Sequence, residues 1–223
     1  MKILKHILIL PFEDFLSGLD KVLGKSAPVN IALIVIIFIA AWWVYVPVHE
    51  LCHAFGCMLG GGSVTELRIS PKYGGAILAK VFPFVSSGSD YAGQLTGFDT
   101  GGSDLTYLLT DFFPFLLTIF VGVPLLRSAS RSAPLAASIK LGISLPIAFA
   151  PFISFSGDYY EMGSIILTRI VSVFDPSLEL SRWRSDDLFK LSEKLFFSGG
   201  SYGAGDIAGV IISFILGIAL IYA

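Results

Sequence analysis

Long apolar runs separated by polar connections dominate the chain. Crossing a bilayer takes about 20 helical residues, and the pattern predicts helices of that kind. The first run is Ile31 to Leu59, from IALIVIIFIAAWWVYVPV into HELCHAFGCML. The second, Leu105 to Leu126, contains Asp111 and Pro114. The third is Leu135 to Phe155 and the last Ile207 to Ala223. A shorter stretch, Tyr159 to Phe174, has an apolar core from Met162 to Val173 that Arg169 interrupts.

Basic residues bear on whether that shorter stretch spans. If it does, twelve of the fifteen Lys and Arg residues fall on one side, leaving Arg68, Lys72 and Lys80 on the other. Such asymmetry is what the positive-inside rule expects, whereas without the span the split is about even. The reading is therefore an all-α polytopic membrane protein with about five transmembrane helices and the N-terminus inside. A multi-pass protein of the cell membrane is expected, as one membrane-embedded domain over residues 1–223.

The connections add detail. Residues 1–28 carry Lys2, Lys5, Pro11, Glu13 and Asp14 around short apolar runs. They make a poor signal peptide and read as a broken amphipathic segment on the membrane surface. After the first span, VTELRISPKYGGAILAKV is rich in strand formers around Pro71 and Gly74-Gly75, and predicts a small β-hairpin over 62–82. The Gly-, Ser- and Asp-rich residues 83–104 read as a mobile loop. In the polar connection 175–204, Leu188, Leu191, Leu195 and Phe196 recur at helical spacing, which predicts an interfacial helix. Trp183, between Arg182 and Arg184, suits an interface anchor.

Composition supports the membrane reading: 54% of residues are hydrophobic and 14% charged, against about 25% charged in soluble domains. A net charge of −2 points away from nucleic acid as a partner. Cys52 and Cys57 would diverge by roughly 140° on a helix, which argues against a bridge.

The chemistry concentrates at His49-Glu50-Leu51-Cys52-His53, which holds two of the three histidines. Residues four apart on a helix lie about 40° apart around the axis and one turn apart along it, so both imidazoles reach one metal ion. Glu50 sits about 60° from His53, placed to take a proton from water and not to bind the metal. Charged groups at membrane depth cost a few kcal/mol each on insertion scales, roughly 3 kcal/mol, so the cluster points to function. A polar cluster that pairs helices is the bland alternative. Zinc needs a third protein ligand and an open position. The acidic candidates are Asp158, Glu161 and Asp111, and Asp158 after Gly157 also suits a helix N-cap. Cys52, three residues after His49, suits a packing role.

The chain resembles the site-2 protease family, peptidase family M50, at three places. The first is His49-Glu50-Leu51-Cys52-His53 followed by Ala54 and Gly60-Gly61. The second is LRISPKYGGAIL, Leu67 to Leu78, which is similar to that family's hairpin with paired glycines. The third is Gly157-Asp158 after a segment with Pro146 and Pro151, similar to the family's Asn-Pro…Asp-Gly motif, although no Asn precedes these prolines and Tyr159 replaces the Gly. The resemblance implies an intramembrane Zn2+ metalloprotease with His49, His53 and Asp158 as metal ligands and Glu50 as catalytic base. Its substrate would be a transmembrane helix of a membrane protein. The resemblance also implies a site toward the cytosol, with the motif helix running inward; the basic-residue count puts that helix's N-terminus inside instead.

Two other functions suit the same residues. One is a membrane zinc hydrolase with a lipid-linked substrate. The other is a silent relative that binds partner helices, for which Gly56/Gly60 and Gly205/Gly209 give close-contact spacing. The intact Glu50 argues against silence. The oligomeric state and the substrate's identity are not written in the sequence.

Overall fold

The computed structural model describes residues 2–24, 26–153, 157–185, 191–193 and 203–222. It is mostly helical and divides into two compact units, Ile9–Ala150 and Met1–Leu8 with Pro151–Ala223.

Helix α1 spans Lys2–Val22 and runs through Pro11. The expected break is absent, although proline removes one ladder bond. Packing holds the helix at this point: Phe12 and Phe15 meet Phe149 edge-on, with ring centroids 5.2 and 6.1 Å away. Helix α2, Ala27–Leu59, starts with a proline in its first turn and ends at Gly60. A proline there has no bond to lose and its φ is already helical. At 33 residues and about 1.5 Å per residue, α2 exceeds the roughly 30 Å of a hydrocarbon core. One face of its middle is open, with Ile36 64% and Ile39 62% exposed. Exposed apolar side chains on a helix this long and apolar are what a membrane-crossing helix would present to lipid.

A three-stranded sheet follows, comprising β1 (Ser63–Ile69), β2 (Val85–Ser87) and β3 (Gly93–Asp99) in the order β2-β1-β3. Strand β1 pairs parallel with β2 and antiparallel with β3, so Leu67 lies opposite both Val85 and Leu95. The predicted hairpin over 62–82 is thereby corrected. After β1 the chain turns through a 3-10 segment, Pro71–Tyr73, into the short helix α3, Gly75–Leu78. Gly74 makes that turn at φ +81°, a conformation that suits glycine. The partners of β1 come instead from the stretch read as a mobile loop. Leu51 and Ala54 of α2 pack with Leu67, Ile69 and Val85 in one buried cluster, flanked by Phe55, Phe82 and Leu95.

Helix α4, Asp104–Phe112, is capped by Ser103, whose hydroxyl accepts the Thr106 N–H at 3.2 Å. A 47° bend separates it from α5, Phe115–Ala129, which includes one π-helical turn, Thr118–Gly122. Pro114 at the bend removes a ladder bond. Helix α6 is Pro134–Ala148. Small residues bring these helices onto α2: a Cβ on Gly56 would strike the Leu109 carbonyl oxygen, and one on Gly142 would strike Ile37.

The short helix α7, Ala150–Ile153, begins at the last residue of this unit. In the other unit, α8 is Asp158–Phe174 and α9 is Ala204–Tyr222. Helices α8 and α9 touch backbone to backbone, since a Cβ on Gly163 would meet the Ser213 carbonyl and one on Gly217 the Tyr159 carbonyl. Arg182 donates to both carboxylate oxygens of buried Asp206 at 2.6 and 2.9 Å, and Trp183 lies buried against Gly209. The helix expected through 188–196 falls largely outside the described residues.

Among the described residues, α2 and α9 are long and apolar enough to cross a membrane, and α4 with α5 makes a third if the bent pair counts as one span. Five spans are therefore not supported. Helix α6 has 15 residues, about 22 Å at 1.5 Å each, and stops before the expected Phe155. Helix α8 carries Asp158, Glu161 and Arg169 within 17 residues. The one-sided distribution of basic residues required the 159–174 stretch as a span, so the expected orientation loses its basis.

Candidate metal-binding site

The motif lies in regular helix in the second half of α2. Each side chain's direction follows from helical spacing of about 100° per residue. His49 and His53 share one stripe, Leu51, Ala54 and Phe55 point to the sheet, and Glu50 falls between the two faces. Leu51 and His53 are buried, while His49 and Glu50 are half-buried.

The two imidazoles face one another through Nε2, 3.1 Å apart, with ring planes at 83°. Two nitrogen ligands on one tetrahedral metal ion lie about 3.3 Å apart, given bonds near 2.05 Å. The spacing suits a shared ion. The outer nitrogens are held from behind. His53 Nδ1 donates to the Thr110 carbonyl at 2.8 Å, which leaves Nε2 bare to ligate. His49 Nδ1 bonds the Tyr45 hydroxyl at 2.9 Å, and Phe115 meets the His49 ring edge-on at 6.4 Å. The Thr110 carbonyl is itself positioned through α4. The Thr110 hydroxyl donates to the Thr106 carbonyl and the Thr106 hydroxyl to the Gly60 carbonyl, both at 2.8 Å, tying α4 to the end of α2.

Glu50 lies against the first residue of β3. A Cβ on Gly93 would collide with Glu50 Cγ and Cδ, so glycine makes room for the carboxylate and brings strand backbone beside it. Along the other side of α2 runs an apolar groove of about 450 Å³, walled by Tyr45, Val48, Leu117, Ile143 and Ile147 among others.

The acidic candidates separate. Asp111 is buried on α4, but among the described residues it does not join His49 and His53 in a group able to hold a metal. Asp158 is the first residue of α8 and half-buried, with Gly157 at the N-cap position. Glu161 is buried one turn further on. Both cysteines are free thiols, and Cys57 Sγ points at the Ser63 and Asp99 carbonyls at 3.7 and 3.9 Å.

Tyr45, the Thr110 carbonyl, Phe115 and Gly93 join the site without having been anticipated. Tyr45 had a signal, since it stands one helical turn before His49 on the same stripe. The others come from elements that meet α2 only in the fold. No protein-family model matches the chain, and no curated protein or solved structure matches it either.

Proposed function

We propose that the protein is a multi-pass intramembrane zinc metalloprotease that hydrolyses peptide bonds in or beside transmembrane segments of other proteins. The observation that carries this reading is the pair of Nε2 atoms 3.1 Å apart on a helix of membrane-spanning length, with the Glu50 carboxylate on the adjoining edge. His49, His53 and Asp158 would hold the ion, and two imidazoles with a carboxylate are a donor set able to do so. Zinc bound there would supply Lewis-acid polarisation of a water molecule and of the scissile carbonyl. Glu50 takes the attacking water's proton and hands it to the leaving amine.

A peptide substrate is favoured by β3. A transmembrane helix must unwind to be cut, and its freed N–H and C=O groups find no partners in lipid. Strand backbone at Gly93, against Glu50, would offer such partners to an extended peptide. The groove beside Tyr45 and Val48 suits the apolar side chains of a membrane segment.

The test replaces Glu50 with Gln and, in parallel, Asp158 with Asn. Purified Glu50→Gln should keep one zinc per chain and lose cleavage of a membrane-helix reporter by at least about 100-fold. Asp158→Asn should lose zinc. Wild-type protein that holds zinc but never cuts the reporter would redirect the reading to a lipid-linked substrate. Cleavage undiminished in Glu50→Gln would remove the protease reading.

A further inference from the structure

We infer that residues 70–84 form a membrane-docking element, with Ile77 and Val81 in the lipid and Lys72 and Lys80 at anionic headgroups. The inference goes beyond the metal-site reading and needs only that α2 crosses the membrane.

The segment is apolar on two faces, and the protein covers one of them. Tyr73, Leu78, Ala79 and Phe82 pack against the buried cluster between α2 and the sheet. Helical bonding continues past α3, since Ala79 N–H donates to the Gly75 carbonyl and Phe82 N–H to the Leu78 carbonyl. Ile77 and Val81, four residues apart, therefore share the outer face, and they are 66% and 65% exposed. A helical segment that is apolar all round needs cover on every side. Lipid is a cover the backbone permits. Every N–H from Ile77 to Phe82 donates to a carbonyl between Gly74 and Leu78, so none of these donors needs a partner that hydrocarbon lacks.

The segment also stands at the right level. Trp43 donates its indole N–H to the Lys72 carbonyl. Trp42, Trp43 and Tyr45 cluster near the end of the apolar run, just before His49, and such a belt marks a membrane interface. Trp43 lies about 24 Å along α2 from Ala27, close to the roughly 30 Å of a hydrocarbon core. It is 49% exposed, so the segment adjoins the open face of α2. The sheet that precedes and follows the segment carries the Glu66–Arg68 pair with both side chains open, which suits water and not hydrocarbon. Residues 70–84 thus reach from a water-exposed sheet to an interfacial tryptophan.

Charge selects the lipid. The segment holds two lysines and no acid. Both are exposed, and among the described residues neither is in an ion pair. Ammonium groups beside apolar side chains match anionic headgroups over acyl chains.

The experiment uses full-length protein in which Cys52→Ala and Cys57→Ala remove the native thiols. Ile77→Cys, Val81→Cys, Gln94→Cys or Ile36→Cys then carries a fluorophore, in vesicles of phosphatidylcholine and phosphatidylglycerol. Gln94 lies exposed opposite Arg68 and marks the water side; Ile36 marks the span and reports that the variants insert. Bromine on the acyl chains should quench the probes at 77 and 81 as it does the one at 36, and aqueous acrylamide should quench the one at 94 alone. Lys72→Gln with Lys80→Gln, added to Ile77→Cys, should lose the extra protection from acrylamide that phosphatidylglycerol gives over phosphatidylcholine. Acrylamide that reaches 77 and 81 as freely as 94, while 36 stays lipid-quenched, overturns the docking and leaves α2 as a span. A probe at 77 shielded from both quenchers is covered by protein, a second copy or a substrate, and overturns it too. Protection that ignores the lysines overturns the headgroup contact. No lipid quenching at 36 overturns the span itself, and the docking with it.

Discussion

Glu50 and Gly93 illustrate how one missing side chain can set the position of a reacting one. With no Cβ at 93, the Glu50 carboxylate occupies the space beside β3. Gly93→Val should therefore push Glu50 aside while leaving the imidazole pair on its own stripe. The expected outcome is near-normal zinc content with cleavage lowered about 100-fold, since a shift of roughly 1 Å in a catalytic group costs that much. Zinc analysis beside a single-turnover cleavage assay checks it, and loss of both together would mean that β3 supports the whole helix. The same residues show what could be read at this scale in advance. His49, Glu50 and His53 were legible because their relation is local, fixed by helical geometry within five positions. Gly93 and the Thr110 carbonyl were not, because their proximity depends on a sheet and on α4 arriving at α2. Asp158 as a ligand came from resemblance and chemistry.

Among the elements, the sheet shows where pattern reading stops. Strand β1 was visible as alternating strand formers, but its partners were placed in the wrong segment. Residues 93–99, GQLTGFD, hold two glycines and little β-branching, so local propensity speaks against a strand; pairing with β1 overrides it. The pairing is reinforced on the exposed face by Glu66. Its carboxylate accepts from Ser86 of β2 at 3.2 Å and Thr96 of β3 at 3.0 Å, and pairs with Arg68 at 3.0 Å. The Arg68 guanidinium first, then the Thr96 hydroxyl, hold its pKa below the ordinary value. A carboxylate depressed on folding adds stability above its unfolded pKa, near 4.3, and loses it as pH falls through the lower folded value. Wild type should therefore melt progressively lower on acidification below about pH 4, and Glu66→Gln should show a shallower acid slope. The difference will be small, because the groups are open to solvent and screened. Melting temperature in detergent between pH 3 and 7 reads it, and identical slopes would show that the cluster adds nothing.

For the molecule as a whole, the membrane was legible from composition, and the number of crossings was not. Apolar length predicts a span only if the helix stays straight. The chain instead bends by 47° at Pro114 and ends α6 after 15 residues. Neither feature leaves a clear mark on hydropathy. What survives is α2 and α9 as candidate spans, and α2 carries the two imidazoles, so the apolar span and the site share one element. Ile36 and Ile39 lie mid-helix with more than 60% of their surface exposed. Replacing both with Asp tests the membrane directly. On insertion scales each acid near the centre of a span costs about 3 kcal/mol, so the pair opposes insertion by roughly 6 kcal/mol. In a water-exposed helix the same changes would be near neutral. The double variant should be lost from carbonate-washed membranes. Ile36→Leu with Ile39→Leu should remain, because only polarity is being tested. If the aspartate pair stays in the membrane at wild-type level, α2 does not span, and the histidines would then have to work at a surface open to water.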